Sequence, residues 1–188
     1  MTKSELRIIV KQKRLLLKKN QVDQLSIKCF SNLLSNFTFK EKNIGVFFPI
    51  TNSNEPNTFL FYEELLKIES NVFLPVVDFA SLSMDFYLPD SISNLNISKY
   101  GVPEPKPINK INPKKLDFLL VPLLAIDKNG FRVGYGKGFY DRYIPRCSPD
   151  VTTIGINLFE DVCEIMDLSK NDVSLKYCVT PNNIKRYF

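Results

Sequence analysis

Histidine and tryptophan are absent from this chain of 188 residues. Without histidine there is no imidazole base to activate a serine or cysteine, and no imidazole ligand for zinc. Chemistry must rest on carboxylates, Lys, Arg, Tyr, backbone amides or a metal held by oxygen. Cysteine is scarce, and Cys29, Cys147, Cys163 and Cys178 form no CxxC pair. The usual zinc and redox spacings are therefore missing, and the four thiols read as free in a reducing cytosol. No apolar run approaches the length that crosses a bilayer. The basic N-terminus lacks the apolar segment and small-residue cleavage site of a secretory signal. Glu5 and the scarcity of Ser argue against a mitochondrial transit peptide, so a cytoplasmic location is expected.

What is present is an ordinary globular composition, 44% hydrophobic and 24% charged, suited to one domain over residues 1–188. The net charge of +5 is unevenly placed. Residues 1–19 hold seven Lys/Arg against Glu5 alone, whereas the rest of the chain carries 18 Lys/Arg and 19 Asp/Glu. A general nucleic-acid binder spreads its basic residues over a wider face.

The pattern predicts a helix over 3–19, with Leu6, Ile9, Val10, Leu16 and Leu17 on its apolar side. Lys3, Arg7, Lys11, Arg14 and Lys18 form a stripe beside it. That stripe is either a solvated face or an anion-binding one. A second helix is expected over 22–36, with Leu25, Ile27, Phe30, Leu33 and Leu34 apolar. Strands are expected at 43–48, 72–77, 84–88, 118–126, 152–158 and 177–180, with a helix at 58–68 and another beginning at 139. The Pro-rich stretch 89–115 reads as one long irregular connection. Strands alternating with helices imply an α/β fold, a single-domain three-layer sandwich with a largely parallel central sheet, Rossmann-like in outline.

Glycine is also scarce, but four of the seven lie at Gly130, Gly134, Gly136 and Gly138. They follow the most apolar strand and precede a helix, the place where open α/β sheets bind ligands. Closely spaced glycines let backbone N–H groups turn toward an anion. Arg132 and Lys137 add positive charge, and Asp141 offers a hard oxygen suited to Mg²⁺ beside phosphates. Neither GxxxxGK[ST] nor GxGxxG occurs, so the segment is either a phosphate cradle or a flexible turn.

The run Val121-Pro122-Leu123-Leu124-Ala125-Ile126-Asp127, with Arg132-Val133-Gly134-Tyr135-Gly136-Lys137-Gly138-Phe139-Tyr140-Asp141, resembles the signature of the 5-formyltetrahydrofolate cyclo-ligase family. Lys3 with Arg7, Asn54-Glu55-Pro56-Asn57-Thr58 after Phe48-Pro49, and Tyr100-Gly101-Val102-Pro103-Glu104-Pro105 resemble further family motifs. The resemblance implies ATP-dependent cyclisation of 5-formyltetrahydrofolate to 5,10-methenyltetrahydrofolate, with ATP as co-substrate and Mg²⁺ as cofactor. It implies Lys3, Arg7 and the run from Arg132 through Tyr140 (Val133, Gly134, Tyr135, Gly136, Lys137, Gly138 and Phe139 included) around the nucleotide. Arg132 and Lys137 would be the catalytic charges. Glu55, with Tyr135 to Phe139, would meet the folate, and Asp141 the metal. A second carboxylate expected near Lys176 is missing, which leaves Lys176 or Asp172 for the metal site, and Asp161 stands where the family pattern suggests Gln. No nucleic acid, membrane or obligate protein partner is expected. The alternatives are a non-catalytic nucleotide- or RNA-binding protein using the basic helix, or a sugar-phosphate isomerase-like enzyme. The helix at 3–19 has no aromatic residue for stacking on bases, and an isomerase would not consume ATP.

Overall fold

Thr2 opens the first helix with a reciprocal cap. Its hydroxyl accepts from the Glu5 amide at 3.3 Å, and Glu5 Oε2 accepts from the Thr2 amide at 2.8 Å, satisfying two otherwise orphaned donors. These bonds hold the Glu5 carboxyl below its usual range. In the computed structural model, which describes residues 1–50, 52–99 and 101–188, this helix, α1, spans Lys3–Leu15 and stops short of the expected Lys19. Its inward face also differs from expectation. Leu6 and Arg14 are buried, whereas Ile9 and Leu16 are exposed. Lys3, Leu6, Arg7, Val10 and Arg14 recur at helical spacing, and it is this mixed stripe that turns toward the protein.

A new helix, α2 Lys19–Asn36, starts earlier than expected because the Lys18 amide finds Gln21 Oε1 at 2.8 Å. It buries Val22, Ser26, Cys29, Phe30 and Leu33 and leaves Ile27 and Leu34 exposed. The remaining helices are α3 Thr58–Lys67 and α4 Phe139–Tyr143. The strands are β1 Asn43–Gly45, β2 Asn71–Asp78, β3 Ser83–Leu88, β4 Asn96–Ile97, β5 Pro103–Glu104, β6 Asn109–Lys110, β7 Phe118–Pro122, β8 Ala125–Ile126, β9 Arg132–Val133, β10 Thr152–Ile156, β11 Tyr177–Val179 and β12 Ile184–Arg186. The run 118–126 is thus two strands rather than one. Leu124 N turns to Val133 O at 2.7 Å and starts the antiparallel hairpin β8–β9. The stretch 89–115 carries three short strands, and β12 is an addition to the expected set.

The main sheet has the order β12-β11-β10-β7-β1-β2-β3-β6. Pairings from β11 through β2 are parallel, and β12, β3 and β6 join antiparallel at the edges. One face is covered by α2 and α3 through Phe30, Leu33, Phe61 and Leu65. Phe30 stacks on Phe61 with centroids 4.9 Å apart, and Phe39 bridges Phe61 to Phe118. Each such ring contributes about 1.5–3 kcal/mol by burial. The other face packs Leu119, Val121, Phe86 and Leu175 against Tyr143 and Cys147. The result is the expected three-layer α/β sandwich with a mostly parallel sheet. From β1 the chain winds to β2 on one side and returns to β7 on the other. That reversal opens a crevice at the carboxyl ends of β1 and β7.

Candidate active site

The crevice is a cleft of about 500 Å³. Its apolar lining comes from strand ends: Phe47 and Phe48 after β1, Pro75 and Val77 of β2, Met84 of β3 and Pro122 of β7. The β8–β9 hairpin then delivers the glycine-rich loop 134–138 across the opening. Gly136 has φ +92° and Gly138 has φ +66°, a region that residues with a Cβ rarely occupy. These two turns fold the loop back so that Gly138 becomes the N-cap of α4.

Charge is supplied from three directions. Arg132, with a side chain only 4% exposed, donates from Nη2 to Asp141 Oδ1 at 3.0 Å and from Nη1 to the Val173 carbonyl at 2.8 Å. Asp141 Oδ1 also accepts from the Val173 amide at 3.2 Å, which brings the 172–173 segment beside it. From α1, Arg7 Nε donates to the Gly134 carbonyl at 2.8 Å, and its guanidinium lies against Gly136. Lys3 pairs with Asp172. Burial pulls the Asp172 carboxyl upward, but Lys3 and the Ser169 amide outweigh it and hold the group below its usual range. Lys137 is exposed and enters no ion pair among the described residues.

The same cleft holds an acid-and-phenol cluster. Glu55 is 4% exposed, and its Oε2 accepts from the Ile50 amide at 2.6 Å and from Ser53 Oγ at 3.3 Å. Tyr135 and Tyr140 line the same space. Burial, and then the Glu55 charge, raise both phenols above their usual range and keep them neutral. The Tyr140 hydroxyl is buried without a hydrogen-bond partner among the described residues. Burial also raises Glu104, which borders the cleft. A cleft with cations at a glycine-rich loop and buried neutral hydroxyls beside a carboxylate suits an anionic ligand alongside a planar polar heterocycle.

A family model described as the 5-formyltetrahydrofolate cyclo-ligase family matches residues 1–181. The chain belongs to the 5-formyltetrahydrofolate cyclo-ligase family. It is 29% identical to a probable 5-formyltetrahydrofolate cyclo-ligase of Caenorhabditis elegans over 92% of this chain and 89% of the relative. It is 34% identical to the cyclo-ligase of Mycoplasma genitalium over 74% of this chain and 73% of the relative. The solved 5,10-methenyltetrahydrofolate synthetase of Aquifex aeolicus superposes with a TM-score of 0.83 at 32% identity, covering 100% of this chain and 93% of that one. Cyclo-ligase membership makes the chain an ATP-dependent folate enzyme, and sets aside both the non-catalytic binder and the isomerase-like alternative.

Within this cyclo-ligase, Lys3, Arg7, Glu55, Arg132, Gly134, Tyr135, Gly136, Lys137, Gly138, Phe139, Tyr140 and Asp141 all line one cleft. Val133 does not. Its side chain is fully buried with Leu6, Ala125 and Ile165 under α1, so only its backbone faces the loop. Of the two candidates left open for the metal site, Lys176 is not in the cleft lining. Its Nζ donates to the Pro149 carbonyl at 2.6 Å and its amide to Thr153 Oγ1 at 2.9 Å, whereas Asp172 lines the cleft. Asp161 pairs with Lys13 on the outside of α1. Thr51 and Tyr100, placed by the sequence in the Glu55 loop and the central Pro-rich motif, lie outside the described residues. Arg14 of the basic stripe is not in the cleft lining but donates to the Tyr135 hydroxyl at 3.1 Å.

No three His, Cys, Asp or Glu side chains stand together as a metal cage among the described residues. Asp141, with Asp172 beside it, offers few hard oxygens. That set fits a Mg²⁺ ion that retains waters and leans on phosphate oxygens.

Proposed function

We propose that the cleft binds Mg-ATP against α1 and the glycine-rich loop, and 5-formyltetrahydrofolate against Glu55 and the loop's inner edge. The observation that supports this best is the convergence of Lys3, Arg7, Arg132 and Lys137 on a loop whose turns need Gly136 and Gly138. The formyl oxygen attacks the γ-phosphorus in line and ADP leaves. N10 then attacks the activated formyl carbon, the C–O bond breaks, phosphate departs and the N10 proton is lost, leaving the methenyl bridge. Arg132, Lys137 and the loop amides offset charge on the transferring phosphoryl group, so positioning and electrostatics dominate. Asp141 would hold Mg²⁺, with Asp172 lining the same cleft, and the ion would supply positive charge to the phosphate oxygens. Glu55 accepts from the pterin's N–H edge, and the apolar floor excludes water. No covalent enzyme nucleophile is needed, in keeping with a chain that has no histidine.

The whole site is built within one domain over 1–188. No helix among the described residues is long and apolar enough to cross a membrane, and the free thiols support a cytoplasmic setting. No nucleic acid or protein partner is required. Purified protein given Mg-ATP and 5-formyltetrahydrofolate produces the near-UV absorbance of the methenyl product, with equal release of ADP and phosphate. Substrate-independent ATP hydrolysis, or no ADP at any folate concentration, refutes the reading.

A further inference from the structure

Arg14 is the largest fully buried side chain among the described residues, at 1% exposure. None of the ion pairs among those residues includes it. A buried guanidinium without a carboxylate is costly, and a helix surface offers easy apolar substitutes. Its donors show where it is committed. Nη2 donates to the Leu123 carbonyl at 2.6 Å, which fixes it to the segment between β7 and β8. Nη1 donates to the Tyr135 hydroxyl at 3.1 Å, while Nε is buried without a partner among the described residues. Tyr135 and Glu55 line the same cleft, and after burial the Glu55 charge is the largest influence holding the phenol above its usual range. The Arg14 carbonyl, in turn, accepts from Asn54 Nδ2 at 2.8 Å, and the Leu17 carbonyl accepts from the same amide at 3.0 Å. Asn54 adjoins Glu55. One residue thus grips the carboxylate's loop through its backbone and the carboxylate's phenolic neighbour through its side chain.

We propose that Arg14 is a positioning residue that orients the Tyr135 hydroxyl toward Glu55 and so sets the carboxylate for the folate. This rests on the reading of Glu55 as a folate contact. Arg14 touches neither nucleotide nor folate. It acts by taking a lone pair of the phenol, which leaves the phenolic hydrogen directed at Glu55. Lys3 and Arg7 lie on the same helix, Arg14 being roughly 16 Å from Lys3 along its axis. One rigid element therefore carries contacts for both substrates.

The test compares Arg14→Met, Tyr135→Phe, the double variant and Glu55→Gln. Three quantities are measured: the Kd for 5-formyltetrahydrofolate without nucleotide by calorimetry, the KM for ATP, and the melting temperature. Arg14→Met and Tyr135→Phe each weaken folate binding about tenfold or more, the scale of one hydrogen bond to a charged group. The ATP KM moves by less than about threefold, and the double variant is no worse than either single one. Arg14→Lys recovers only part of the affinity, because an ammonium cannot span both acceptors. A folded Arg14→Met that binds folate like wild type, while Glu55→Gln does not, overturns the proposal and leaves the reading of Glu55 standing. Single effects that multiply in the double variant, or parallel losses for ATP and folate, also overturn it. If Arg14→Met fails to fold, Tyr135→Phe carries the test, and unchanged folate affinity there is decisive against the idea. Glu55→Gln with wild-type folate affinity removes the underlying reading, and this proposal with it.

Discussion

Gly134→Ala separates the fold's demand for glycine from the ligand's. A Cβ built at Gly134 meets nothing within 4 Å, and the backbone there does not need a positive φ. At Gly136, by contrast, the same atom lies 3.3 Å from Arg7 Cζ and the backbone has φ +92°. Gly134→Ala should therefore leave the free protein intact, and loss of chain entropy in the unfolded state should stabilise it by about 0.4–1 kcal/mol. For a chain of this size that raises the melting temperature by about 1–4 °C. If the loop's amides clasp phosphates, the methyl projects into the bound nucleotide and lifts it from the loop. Losing one or two charge-assisted hydrogen bonds, about 1.5–3 kcal/mol each, lowers kcat/KM for ATP by about 10-fold to 10⁴-fold. The assay pairs differential scanning fluorimetry with initial rates of methenyl formation at varied ATP. A stable Gly134→Ala enzyme with wild-type ATP kinetics shows that nothing approaches the loop there and refutes the phosphate cradle. Gly136→Ala serves as the contrast, losing both stability and activity.

Two further outcomes follow from the carboxylates. Lys176→Ala leaves the Mg²⁺ concentration for half-maximal rate unchanged, because its ammonium is occupied at Pro149, while Asp141→Asn raises that concentration; a Mg²⁺ titration showing the reverse order removes Asp141 from the metal site. Asp172, held low by Lys3 and Ser169 against burial, stabilises the fold at neutral pH and loses that contribution as pH falls through its depressed folded-state value. Asp172→Asn is accordingly less stable than wild type at pH 7, and the gap narrows as acid protonates the depressed carboxyl; thermal melts in which the gap stays constant from neutral to strongly acid pH contradict the assignment.

The central sheet was legible because its strands are short, nearly continuous apolar runs bounded by Pro and polar turns, as parallel strands covered on both faces must be. The glycine cluster and its flanking charges were legible for a related reason: phosphate chemistry needs those residue types close together in the chain. The errors lie where tertiary structure overrode a local pattern. In α1 the apolar residues suggested one face and the fold uses another, since a helix facing a polar cleft turns Lys3, Arg7 and Arg14 inward and leaves Ile9 and Leu16 in solvent. The run 118–126 holds no turn residue at Leu124, where the hairpin to β9 begins. The edge strand β12 has a single partly buried apolar residue, Ile184, too little for any period. Residue types alone leave Lys176 and Asp172 both open for the metal site, because only the folded chain shows that it reaches the cleft at Asp172, beside Lys3.

The way α1 is attached has a consequence for how the enzyme meets its nucleotide. Outside the small apolar contact around Leu6, the helix is fastened by polar clasps: Lys3 to Asp172, Arg7 to the Gly134 carbonyl, and Arg14 to Leu123 and Tyr135. An element with so few buried apolar contacts is expected to open more readily than the sheet. A triphosphate drawn against Lys3 and Arg7 would close the helix onto the hairpin as it binds. Nucleotide would then act as a removable tenon joining α1 to the sheet, and amide exchange along Lys3–Leu15 would gauge site occupancy, slowing with bound ATP by local closure on top of the global stabilisation that β7 and β10 share.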